Sequence, residues 1–78
     1  MDLNFYLRFP GKEAAKSAAV ALRGTGFKAT GCRKDRGRWV CAGMRKVAPT
    51  DAGVARVVRA LKKTARRLGG RYDGWTTV

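Results

Sequence analysis

Basic side chains recur between residues 56 and 67 at a spacing that brings them onto one side of a helix. At about 100° per residue, they fall within an arc of about 140°. The six are Arg56, Arg59, Lys62, Lys63, Arg66 and Arg67. An ordinary solvated helix face mixes charges of both signs, whereas like charges four residues apart repel each other. The pattern therefore predicts a surface that binds the phosphates or carboxylates of a partner, with a simple solvated face as the alternative.

The whole chain is as basic as this segment. It carries 18 Lys and Arg against 5 Asp and Glu, a formal net charge of +13 on 78 residues. Such a charge favours polyanionic partners, which are nucleic acid, an acidic protein surface or an anionic membrane. No apolar run approaches the roughly 20 residues of a spanning helix, and the N-terminus does not resemble a signal peptide. We therefore expect a cytoplasmic protein with no membrane partner.

The residues that usually carry catalysis are scarce. The chain has no histidine, and its two cysteines, Cys32 and Cys41, are too few for a structural zinc site with four Cys or His ligands. The carboxylates show no helical pairing that would suit acid–base catalysis. They are Asp2, Glu13, Asp35, Asp51 and Asp73. This composition predicts a binding protein and not an enzyme, with no metal and no cofactor.

Apolar spacing along the chain alternates between the period of strands and the period of helices. Strands are predicted over residues 3–9, 27–34, 38–46 and 71–78. Helices are predicted over residues 12–23 and 51–68, the second with Thr50 as its N-cap. The order β-α-β-β-α-β predicts an α+β fold of the ferredoxin-like type, in which two helices cover one face of a four-stranded antiparallel sheet. A length of 78 residues suits a single domain over residues 1–78.

The predicted hairpin around Asp35-Arg36-Gly37 assigns residues to the two faces of the sheet. Directly opposed residues share a face, and the predicted pairs are Lys28–Arg45, Thr30–Gly43, Cys32–Cys41 and Lys34–Trp39. The other face holds small or apolar residues that suit a position beneath an alanine-rich helix: Ala29, Gly31, Val40, Ala42 and Met44. The sheet face away from the helices, called the open face below, is then predicted to carry Tyr6, Arg8, Lys28, Lys34, Trp39 and Arg45.

Aromatic side chains among cations on an open sheet face are the arrangement with which RNA-recognition-motif domains stack bases. The chain lacks the sequence signature of those domains, so the similarity is physical. The alternative is that these aromatic residues cover the sheet or contact another copy of the chain.

Cys32 and Cys41 are predicted to oppose each other across the hairpin. In a reducing cytosol two such thiols stay reduced and act as small sheet residues. The alternative is a redox-linked disulfide between them.

The order of motifs resembles the RraB family, regulators of ribonuclease E activity. The strand Phe5-Tyr6-Leu7-Arg8-Phe9-Pro10 leads into an alanine-rich helix, and the hairpin contains Trp39-Val40-Cys41-Ala42. The most specific part of the resemblance is the closing segment, Gly69-Gly70-Arg71-Tyr72-Asp73-Gly74-Trp75. These closing residues also have a structural interpretation as a helix end, packed aromatic residues and a turn or bulge.

The resemblance implies a non-catalytic ferredoxin-like domain that binds a ribonuclease E-like enzyme and restrains RNA turnover. Familiar members of the family are acidic, whereas this chain is strongly basic, so their charge complementarity does not carry over to it. The alternative is a basic RNA-binding module that grips phosphates through the second helix, with Tyr6 and Trp39 stacking bases.

Overall fold

A computed structural model describes residues 1–78, with the exception of the side chain of Ala29. The elements follow the predicted order and give an α+β fold with a ferredoxin-like arrangement. The strands are β1 (Asp2–Phe9), β2 (Lys28–Asp35), β3 (Arg38–Lys46) and β4 (Arg71–Thr77). The helices are α1 (Lys12–Gly24) and α2 (Asp51–Arg67). Among the described residues, neither helix is long and apolar enough to cross a membrane.

The strands form one antiparallel sheet in the order β2-β3-β1-β4. Strands β1 and β3 are therefore central, and β2 and β4 are the edges. Helix α1 packs mainly on β2 and β3, and α2 packs on β4 and β1. Both helices lie on the same face, which leaves the open face of the sheet without a covering layer.

The core lies between the sheet and the helices. Residues at alternate positions of β1 point toward the helices and are fully buried, because side chains of a strand alternate between its faces. They are Leu3, Phe5, Leu7 and Phe9. Helix α1 approaches them with small residues, Ala15, Ala18 and Ala19, and with Leu22. The ring of Phe27 meets that of Phe5 edge to face, with centroids 5.9 Å apart.

Helix α2 begins and ends where its sequence signals predict. The hydroxyl of Thr50 accepts a hydrogen bond from the backbone N–H of Gly53 at 3.0 Å, as expected of an N-cap. A side chain at Gly53 would meet the backbone oxygen of Ala48 at 2.8 Å, which explains a glycine in the first turn. Gly69 follows the helix with φ +81°, a left-handed conformation that ends helices.

The closing segment turns from α2 into β4 through close backbone packing. A Cβ atom on Gly70 would lie 2.3 Å from the carbonyl oxygen of Arg8, so only glycine fits there. The register of β4 against β1 then shifts between Tyr6 and Leu7, which places a bulge at Asp73. The structural interpretation of this motif accounts for its glycines.

Candidate functional site

The α2 basic face consists of the six cations predicted from the sequence, and the structure places all of them on the exposed side of α2. They are Arg56, Arg59, Lys62, Lys63, Arg66 and Arg67. Within the described part of the chain, none of them forms an ion pair. The opposite side of the helix is buried through Val57, Leu61 and Ala65. This face is a regular array of unneutralised cations on a rigid support.

The open face is less aromatic than predicted. Tyr6 and Arg8 lie on it, because they alternate with the buried residues of β1. The Tyr6 hydroxyl and the Thr76 hydroxyl are 3.0 Å apart and share a hydrogen bond. Tyr6 is thus the one aromatic residue of the predicted open-face set that the structure leaves there.

Trp39 and Lys34 lie on the helix-covered face, so their predicted placement on the open face is wrong. The predicted pairing of Lys34 with Trp39 is confirmed, but Trp39 also directly opposes Phe9, which is buried beneath the helices. Directly opposed residues share a face. Strand β3 carries apolar residues at both alternating positions, so alternation alone does not choose its buried side. Trp39 lies beside α1, with Lys12 Nζ 5.6 Å from the ring centroid.

Arg45 is also on the helix-covered face, contrary to prediction. It opposes Leu3, and its guanidinium carbon lies 5.4 Å from the centroid of the Phe27 ring. Lys28 was predicted to pair with Arg45 but pairs with Met44, because the β2–β3 register shifts between Lys28 and Gly31. Lys28 therefore lies on the open face, as predicted, but without Arg45 beside it.

The small and apolar set predicted beneath α1 lies on the open face instead. The register places there Gly31, Val40, Ala42 and Met44. The side chain of Ala29 lies outside the described residues. The open face therefore carries these residues together with Tyr6, Arg8 and Lys28.

Arg8 links the central strand to both edges of the sheet. Its Nε donates to Asp73 Oδ2 at 2.6 Å, and its Nη2 donates to Asp35 Oδ2 at 3.2 Å. The hydrogen bond to Asp73 raises the pKa of the guanidinium, while desolvation opposes the rise. Sequence reasoning treated these carboxylates as scattered, and only the strand order brings them together around Arg8.

Tyr72 presents an unsatisfied polar group near the same end of the sheet. Its hydroxyl is sealed from solvent and, within the described residues, is the buried side-chain oxygen that lacks a hydrogen-bond partner. Burial raises the pKa of this phenol. An unpaired buried hydroxyl costs about 1–3 kcal/mol of folding free energy.

The two cysteines oppose each other on the helix-covered face. The predicted Cys32–Cys41 pairing is confirmed, and both thiols are free. Cys32 Sγ donates to the carbonyl oxygen of Ala15 in α1 at 3.2 Å. Burial, followed by the proximity of Cys32, raises the pKa of the Cys41 thiol to about 12. Cys41 is thus a protected thiol beside a less buried one.

Comparison with known proteins supplies a family and no individual relative. The sequence matches the family RraB, described as "Regulator of ribonuclease activity B", over residues 1–77. No curated protein and no solved structure gives a significant match to the chain.

Proposed function

Because the chain belongs to the RraB family of ribonuclease regulators, we propose that it binds a ribonuclease E-like enzyme and restrains RNA cleavage by occlusion. In this mechanism the domain covers a surface that substrate must reach and performs no catalysis itself. The partner surface is acidic, or is occupied by RNA. We place the protein in the cytoplasm, where such an enzyme meets its substrates.

The α2 basic face is the observation that supports this contact surface. Its cations have no ion-pair partners within the described residues, so a partner's carboxylates or phosphates meet no internal competitor. We assign the contact chiefly to the anchors Arg56, Arg59, Lys63, Arg66 and Arg67. The buried side of helix α2 fixes the backbone that carries them, so their spacing is set before a partner binds. Their exposed side chains still lose rotamer freedom on binding.

A tagged-protein capture from cell extract, with and without nuclease treatment, tests the proposal. We expect a ribonuclease to be captured in both samples and its cleavage of RNA to slow when the purified domain is added. The triple variant Arg59→Ala, Lys63→Ala, Arg66→Ala should lose both effects. Helix stability should change little, since the substitutions also remove the like-charge repulsion between Arg59 and Lys63.

A matched triple variant controls for net charge. Lys16→Ala, Arg33→Ala and Lys46→Ala remove the same number of charges from exposed positions outside α2. This control should still capture and inhibit the nuclease. Equal loss in the two triple variants would contradict a specific contact through α2.

The second candidate function is direct RNA binding by the α2 basic face. The net charge of +13 favours it, because each cation placed near a phosphate adds to affinity. Its base-stacking component now depends on Tyr6 alone, since Trp39 lies on the covered face. Capture of the nuclease only in samples with intact RNA would favour this second function over the first.

A further inference from the structure

An open cleft lies at one end of the sheet, where the end of β1, the β2–β3 turn and the start of β4 meet. Its volume is about 730 Å³. Five cations line it, with Asp73 as the carboxylate in its wall. The cations are Arg8, Arg36, Arg38, Lys62 and Arg71. We call it the Arg8 cleft. Of its cations, Lys62 alone belongs to the α2 basic face.

The cations of the Arg8 cleft come from different elements that the fold brings together. Arg8 belongs to β1, Arg38 to β3 and Arg71 to β4, while Arg36 lies in the turn. Like charges brought together repel each other, and the two carboxylates bound to Arg8, Asp35 and Asp73, do not neutralise five cations. The cleft is therefore a concentrated positive site with fixed geometry, distinct from the linear array along α2.

Arg8 is already oriented for an incoming anion. Asp73 and Asp35 hold its Nε and Nη2, and in the described structure Nη1 has no side-chain partner. An arginine held by two carboxylates needs little reordering before its free N–H groups donate to a ligand. Tyr72 also lines the cleft, but its hydroxyl is buried on the helix-covered side, because Tyr72 directly opposes Leu7.

Arg36 adds an independent observation. Its φ of 51° makes it the non-glycine residue with a left-handed backbone in the described chain. Tight hairpin turns of this kind favour Asn, Asp or Gly at that position. Strained backbone that persists at a cleft is typical of a functional side chain. Arg36 is exposed in this turn, and it lines the Arg8 cleft.

We propose that the Arg8 cleft binds a multiply charged phosphate, either a free diphosphate or the terminal phosphate of a nucleotide or RNA strand. Guanidinium groups donate paired hydrogen bonds that match phosphate oxygens. A single carboxylate ligand would neutralise too little of the surrounding charge. Apart from Lys62, this site shares no residue with the α2 basic face, and it does not depend on a nuclease partner.

Pyrophosphate titration of the purified domain tests the site. Backbone amide and arginine Nε–H resonances should shift at residues of the Arg8 cleft, at about 150 mM salt. The double variant Arg36→Asn, Arg38→Gln should weaken binding by about tenfold or more, since it removes two charged donors. Arg36→Asn keeps a residue that tolerates the left-handed turn, and the amide spectrum of the variant verifies its fold.

A matched double variant separates the site from overall charge. Arg59→Gln, Arg66→Gln removes the same charge from α2, outside the cleft, and should change pyrophosphate affinity by less than about twofold. Equal weakening in both double variants, or no resonance shift at millimolar pyrophosphate, would overturn the proposal. If the α2 variant no longer captures the nuclease but still binds pyrophosphate, the result supports a phosphate site in the Arg8 cleft.

Two further titrations identify the source of the phosphate. One RNA oligomer is compared with and without a terminal phosphate, in the presence and absence of competing pyrophosphate. Tighter binding of the phosphorylated oligomer assigns the cleft to RNA ends. Equal binding of the two oligomers, with pyrophosphate still shifting the cleft resonances, assigns it to a free small molecule.

Discussion

Two thiols face each other across β2 and β3, and their surroundings differ. Cys41 is fully buried beside Leu7, whereas Cys32 is half-buried and donates to a carbonyl of α1. Opposed positions on neighbouring antiparallel strands bring Cβ atoms about 4.5–5.5 Å apart, near the range that a disulfide requires. At the residue scale, this pair should respond to oxidants and contribute to the response to alkaline pH.

Mild oxidation should form an intramolecular disulfide between Cys32 and Cys41. A small-molecule disulfide is a suitable oxidant. It takes two electrons and two protons from the two cysteine thiols and is itself reduced to two thiols. Because the two thiols already oppose each other, we expect a monomeric product. Mass spectrometry of digested, unreduced protein checks this. Intermolecular dimers, or free thiols alone, would show that the pair cannot close within the folded domain.

Alkaline pH should destabilise the domain through Cys41. The pKa of its thiol is about 12 in the folded chain and near 9.0 ordinarily. Above pH 9 the unfolded chain therefore loses a proton that the folded chain retains. The thiol's stabilising contribution is complete below about pH 9 and is lost toward pH 12, at up to about 1.4 kcal/mol per pH unit.

Urea unfolding at about pH 8 and about pH 10.5 measures this loss. Lysines and tyrosines also titrate in that interval, so Cys41→Ala serves as the reference. The difference in the free energy of unfolding between wild type and Cys41→Ala should become smaller as the pH rises. A constant difference would mean that the thiol ionises equally in both states.

At the element scale, α2 both anchors the fold and carries the proposed contact. Leu61 is at the centre of its buried side, with 3% of its surface exposed. Leu61→Ala should lower the free energy of unfolding by about 2–5 kcal/mol, because it leaves a cavity between the helix and the sheet. Val20→Ala in α1 is the control. Because Val20 is 64% exposed, this substitution should change the free energy of unfolding by no more than about 0.5 kcal/mol. Thermal or urea unfolding measures both variants.

The elements were predictable from sequence because each carries its own signal. Alternating Leu3 to Phe9 defines β1, and Thr50 with the stripe around Leu61 defines α2. The orientation of β3 was not predictable in the same way. Trp39, Cys41 and Val40 are all apolar, so either face satisfies the local pattern, and only the pairing with β1 decides between them.

The two candidate sites differ in the same way in how far the sequence predicts them. The α2 basic face follows from helical spacing within one segment, and the prediction of six exposed cations is met by the structure. The Arg8 cleft joins residues that lie up to 65 positions apart, such as Arg8 and Asp73. Their proximity depends on strand order and on a bulge in β4, which short-range patterns do not report.

At the scale of the whole molecule, the positive charge is nearly unopposed. Of the 5 acidic side chains, Asp35 and Asp73 are bound to Arg8. The remaining acids are few beside the exposed cations of α2. Any partner of opposite charge is therefore drawn to the domain over a distance of about 8 Å at physiological ionic strength.

Direct RNA binding through the six cations of the α2 basic face would be strongly salt dependent. The logarithm of the affinity for single-stranded RNA should fall with the logarithm of salt concentration at a slope near −4, at roughly 0.7 per phosphate. The triple variant of Arg59, Lys63 and Arg66 should flatten the slope by about 2. Tyr6→Ala should weaken binding with little effect on the slope, since stacking releases no counterions.

These titrations discriminate between the two candidate functions. Weak RNA binding with inhibition of a nuclease agrees with the regulator. Micromolar or tighter RNA binding at physiological salt, without any effect on a nuclease, contradicts it. Complete absence of RNA binding removes the second function.

Strand β2 forms an edge of the sheet and exposes Lys28, Arg33 and Lys34 along its length. An unpaired edge is a template on which a second copy can add a strand. Addition of β2 to another β2 would bring two rows of cations together, and at low ionic strength their repulsion prevents it. At about 1 M salt the screening length falls to about 3 Å, and this barrier becomes much smaller. Concentrated salt, which dissolves many aggregates of charged proteins, should therefore promote aggregation of this one.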